Sequence, residues 1–178
     1  MNFFSSIGIA AGLMFGAVLC LVFFRFSNTD RKVKTNYDER QKAIRNVGYR
    51  YAFYTVMYYE TFLMILAMGG IRIPVADYAL HFSGVFIGCT VLGVYCVWKG
   101  AYWGLNSNPR RYLIMFAVFI LLNLLPIIGA AVSGSLFNDG VIGVTSINMM
   151  VLVMMVILAL SMLIRSRIKV DDDEESLE

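Results

Sequence analysis

What this sequence has least of is charge: Asp, Glu, Lys and Arg together make up 15% of its 178 residues, where a soluble domain carries about 25%. Histidine occurs once, as His81, and cysteine three times. No nucleophile stands beside a base, no residues have metal-ligand spacing and no glycine-rich phosphate loop is present. The constellations on which hydrolytic, metal-dependent and phosphoryl-transfer chemistry are built are therefore missing. A non-enzymatic protein with neither cofactor nor metal is the expectation. Cys20, Cys89 and Cys96 all fall in apolar stretches, where thiols pack as small apolar groups. Cys89 and Cys96 share a helical face, but no His or further Cys completes a metal site around them. Long polar segments are lacking too. The longest connection between apolar runs, residues 25–50, is too short for a soluble domain, and no repeat of about 20–50 residues is visible.

What the chain does have is apolar length. It is 59% hydrophobic, with a mean hydropathy of +0.70, and the apolar residues fall into five runs at 7–24, 51–70, 79–97, 112–132 and 141–164. Each approximates the ~20 residues that carry a helix across ~30 Å of hydrocarbon. The fold class expected is all-α: a bundle of five transmembrane helices over residues 1–164, followed by a basic-then-acidic, disordered tail over 165–178.

Fourteen of the fifteen basic residues lie on one side of this bundle. Eight fall in the segment 25–50, three between the third and fourth runs, and three after the fifth; Arg72 stands alone on the opposite side. Short basic loops stay cytoplasmic, which predicts an outside N-terminus and an inside C-terminus. The net charge of +3 belongs to these helix flanks, where it meets anionic lipid headgroups rather than nucleic acid. Residues 1–6 carry no positive charge while Arg25 closely follows the first run, the reverse of a secretory signal. That run is expected to stay as an N-out span, and Leu19 is too bulky to precede a lipidated Cys20.

The segment Thr35 to Arg50 has helix-start chemistry. Asn36 with Glu39 three residues on resembles a capping box, and Asp38 and Glu39 suit the positive end of a helix. The sequence predicts a helix from about Tyr37, lying along the cytoplasmic interface before the second span, as a topology anchor or a docking element. The stretch Asn36, Tyr37, Asp38, Glu39, Arg40, Gln41, just ahead of an aromatic-rich span, is similar to one in a group of uncharacterised small bacterial multi-pass membrane proteins. These bear an Asp-Glu-Arg-Gln sequence before a hydrophobic helix. The likeness covers Asn36 to Glu60 and implies a bacterial cytoplasmic membrane, with no activity to carry over.

Within the membrane, Gly8, Gly12 and Gly16 repeat every four residues, and Gly84 and Gly88 do the same in the third run. Such strips let helix backbones approach closely. Glu60 is the only formal charge within the five runs. About 13 Å along its span at ~1.5 Å per residue, it should be protonated, paired or turned inward. Asn123, ahead of Pro126, is the expected partner at that depth, with Asn148 a more distant polar candidate. Tyr51, Tyr54 and Tyr58 share the helical face opposite Glu60.

Two functions compete on this reading. One is an accessory or regulatory subunit of a transporter, sensor or envelope complex, with a membrane-protein partner or a second copy of itself. The other is a small ion-coupled or solute carrier using the intramembrane carboxylate.

Overall fold

The computed structural model describes residues 14, 18, 19, 21–138, 140–143 and 145–175. The fold is helical. Helix α1 comprises residues 21–27, α2 Glu39–Met68, α3 Asp77–Trp98, α4 Pro109–Val132 and α5 Thr145–Glu175. A two-residue hairpin, β1 (Phe137–Asn138) and β2 (Val141–Ile142), separates the last two helices.

Three helices among the described residues, not five, are long and apolar enough to cross a bilayer: α3, α4 and Thr145–Ile168 of α5. Most of the first expected span lies outside the described residues, including Gly8, Gly12, Gly16 and Cys20. Helix α2 is absent from the set because Tyr51, Tyr54, Tyr58, Tyr59, Glu60 and two threonines dilute its apolar character. It is nevertheless a single 30-residue helix. The separate interfacial helix expected before the second span is thus the first part of α2. No proline interrupts it, and Gly48, the one glycine in its interior, is buried.

Other boundaries shift for local reasons. Pro109 opens α4, where its missing N–H costs nothing, and Asn108 Oδ1 accepts the N–H groups of Arg110 and Arg111 at 3.1 and 3.3 Å. Helix α5 begins at Thr145 rather than Val141, because Val141 and Ile142 are taken up by β2. It continues to Glu175, so most of the tail expected to be disordered is helix.

The chain divides into two compact units. The first, Met1–Asp38 with Trp103–Met115, is organised around two buried asparagines. The Asn106 side chain accepts the Asn36 N–H at 2.8 Å and donates to the Lys34 carbonyl at 3.0 Å and to Asp30 Oδ2 at 3.1 Å. Its backbone carbonyl accepts both the N–H and the hydroxyl of Thr29. Asn28 donates to the Lys32 carbonyl at 2.8 Å. Arg111 donates to the carbonyls of Phe26 and Asn28 and lies over the Phe26 ring. The loop after α1 is held in place by these bonds, with Arg31 in the left-handed region at φ 54°. Edge-to-face contacts of Tyr112 with Phe23 and Trp103 extend the unit on its apolar side.

In the second unit, Glu39–Tyr102 with Phe116–Glu178, α3 is central and packs on α2 and on α5. Its glycines set both contacts. A Cβ on Gly88 would lie 2.7 Å from Val56 Cγ2, and one on Gly93 would lie 2.5 Å from Leu158 Cδ2. Neither distance is open to a real Cβ, so the side chains of Val56 and Leu158 fill the space that the missing glycine side chains leave. Gly48 makes the reciprocal contact from α2, against Leu92 and Tyr95. At the α2–α3 turn, β2 pins the connecting loop: the Ile142 N–H donates to the Pro74 carbonyl at 3.0 Å, and the Ala76 N–H donates to the Ile142 carbonyl at 3.1 Å.

Candidate functional site

Glu60 is carried on α2 two turns before Met68, and His81 on the second turn of α3. The two helices run antiparallel and meet where Gly84 has no side chain. A Cβ there would fall 2.9 Å from Tyr59 Cδ1 and 3.0 Å from Glu60 Oε1. This approach lets His81 Nδ1 and Glu60 Oε2 share a hydrogen bond at 2.8 Å.

The carboxylate therefore has a partner other than the one expected. Asn123 donates instead to the Phe119 carbonyl of its own helix at 2.8 Å, and the Asn148 side chain makes no hydrogen bond among the described residues. Equal depths counted from the span ends place Cys89, next to Gly88, level with Glu60. The packing puts Glu60 beside Gly84 and Val56 beside Gly88, a displacement of one helical turn. Because α2 does not start afresh at Tyr51, residues counted from that point do not align with those of α3.

Beside this pair runs a second, separate set of hydrogen bonds. Tyr59 and Ser83 hydroxyls contact each other, and both donate to the Leu80 carbonyl, at 3.1 and 2.6 Å. Ser83 is buried. His81 and Ser83 are two residues apart on one helix and so do not face each other, and no hydrogen bond joins them. The Ser, His and Glu found here consequently do not form a nucleophile–base–acid relay.

The Glu60–His81 pair is open rather than buried, with side-chain exposures of 37% and 64%. It lies on the wall of a cavity of about 1170 Å³, which is also lined by Arg72, Asp77, Leu63, Leu80 and Val141. A smaller cavity of about 450 Å³ between α3 and α5 is lined by Phe86, Met149, Met150 and Met154 among others and holds no charged group.

The remaining expected positions are dispersed. Tyr54 and Tyr58 are exposed, while Tyr51 meets Tyr95 of α3 edge to face. Glu39 pairs with Lys42 at 2.7 Å on an exposed face, Arg40 reaches the Lys99 carbonyl at 3.5 Å, and Gln41 is buried. Helix α2 starts at Glu39, three residues after Asn36, whose carbonyl accepts the Leu105 N–H at 2.8 Å and whose N–H donates to Asn106.

Sequence reasoning missed the Asn28–Asn106 network and the pinning of the α2–α3 loop by β2. The turn-forming runs Ser27-Asn28-Thr29-Asp30 and Asn106-Ser107-Asn108-Pro109 were a visible local signal, but nothing in them specifies that they meet. No protein-family model, curated protein or solved structure matches this chain.

Proposed function

We propose that this protein is a non-enzymatic, multi-pass protein of a bacterial cytoplasmic membrane. On this reading it spans five times, with its N-terminus outside and its C-terminus inside. It serves as an accessory or regulatory subunit of a transporter, sensor or envelope complex. The observation that carries the reading is the state of α4. Only 6% of its most apolar stretch is buried by the rest of the chain. Yet it carries Asn123, Pro126, Gly129 and Ala130, and among the described residues nothing lies within 4 Å of where a Gly129 side chain would start. Small and polar residues in membrane helices commonly mark helix contacts, and a face of α4 that the described residues leave uncovered is what a contact with another protein or a second copy requires. The basic residues on the inner side meet anionic headgroups.

A second reading, a small ion-coupled or solute carrier, is favoured by the Glu60–His81 pair lining an open cavity. Purification from native membranes in mild detergent separates the two. A stoichiometric membrane-protein partner supports the subunit reading. A chain that purifies alone and catalyses solute-dependent flux in proteoliposomes, lost in Glu60→Gln, supports the carrier.

A further inference from the structure

The cavity at the α2–α3 turn has a lining whose charges are unequally used. Of the four ionisable side chains that line it among the described residues, Glu60 and His81 engage each other at 2.8 Å. Arg72 and Asp77 are exposed, and among the described residues neither makes an ion pair or a side-chain hydrogen bond. Both are held by ordered backbone. Asp77 is the first residue of α3, and Arg72 lies in the loop that β2 clasps through Pro74 and Ala76. The rest of the wall is largely apolar, from Leu63, Ala67, Leu80 and Val141. An apolar chamber with a few fixed polar groups is the general form of a small-molecule site.

We infer that this chamber binds a small dipolar ligand bearing a free carboxylate and a free ammonium group, namely a short peptide with unblocked termini. The argument is one of charge sign. A simple anion would meet the Arg72 guanidinium but also the carboxylates of Asp77 and Glu60; a simple cation would meet those carboxylates but also Arg72. Only a ligand with both signs finds each group matched. The guanidinium fork takes a carboxylate through two parallel N–H donors, Asp77 accepts from the ammonium, and the apolar wall takes side chains. The volume of about 1170 Å³ is somewhat above the ~300–1,000 Å³ usual for ligand sites, ample for several residues. This inference does not rest on the subunit reading or on the orientation in the membrane.

The test uses the full chain in lipid nanodiscs and the tripeptide alanyl-leucyl-alanine, with binding read by calorimetry and by ligand-dependent melting. Free tripeptide should bind saturably. N-acetylation together with C-amidation should abolish binding, although the side chains are unchanged. Arg72→Gln should weaken binding by about tenfold, the loss of one charge-assisted contact, while leaving the ligand-free melting temperature unchanged. Lack of saturable binding to the free tripeptide would overturn the inference. So would equal binding of the blocked form, or undiminished binding to Arg72→Gln. Tighter binding of putrescine than of the tripeptide would replace the dipolar ligand with a cation.

Discussion

Exposure decides what the contact between Glu60 and His81 is worth. Both side chains are more than a third exposed, and ion pairs in that condition contribute about 0–1 kcal/mol, against about 3–5 kcal/mol lost when one member of a buried pair is removed. Glu60→Gln and Glu60→Leu should therefore each shift unfolding in detergent by less than about 1 kcal/mol; a loss above about 3 kcal/mol would mean a buried, structural pair. Asp30 behaves differently. The Lys32 N–H, at 3.1 Å, and the Asn106 amide hold its carboxyl below the usual value of 3.8. Its contribution is thus fully present above about pH 3.8 and is lost as pH falls through the lower folded value. Amide exchange in residues 28–36 should accelerate over that acid range, and Asp30→Asn should remove the pH dependence. Asn106→Ala removes the side-chain partners of the Asn36 N–H and the Lys34 carbonyl, each an ordinary hydrogen bond of about 0.5–1.5 kcal/mol, and should open Arg31, Lys32 and Lys34 to trypsin at neutral pH. The sequence singled out Glu60 as a lone charge in an apolar run, but its partner depended on helix register. Asn106 carried no such mark, because its bonds to Asp30, Lys34 and Asn36 span 70 or more positions.

At the scale of elements, glycine on α3 sets the distances. Gly88→Leu would drive its side chain into Val56 and the Ala52 carbonyl, which lie 2.7 and 3.5 Å from the Cβ position. Overpacking of this kind costs about 1–3 kcal/mol, and a lowered melting temperature in nanodiscs is the expected result. Leu substituted for Val85, on an exposed face of the same helix, is the control and should leave the melt unchanged. Periodicity made α3, α4 and α5 legible to within a few residues at most ends, because long apolar runs leave a helix no competitor in lipid. It failed where local chemistry intervened. Val141 and Ile142 pair with Asn138 and Phe137 in a hairpin, and an unbroken helix erased the boundary at Tyr51.

For the whole molecule, the division of basic residues makes a prediction independent of any packing. In a cysteine-free background, Leu105→Cys should resist a membrane-impermeant thiol reagent in intact cells, while Ser135→Cys should react. Leu105 is 69% exposed, so protection there would come from the membrane and not from the fold. Reversed labelling would invert the orientation, and labelling at both sites would remove α4 from the membrane. One consequence follows from α2 alone. Its 30 residues extend about 45 Å at ~1.5 Å per residue, half as long again as the ~30 Å hydrocarbon layer. A rod of that kind is a lever. A tilt of about 10° moves one tip roughly 8 Å relative to the other at this length. Any tilt of α2 that starts near Glu60 would therefore displace its Glu39 end as well.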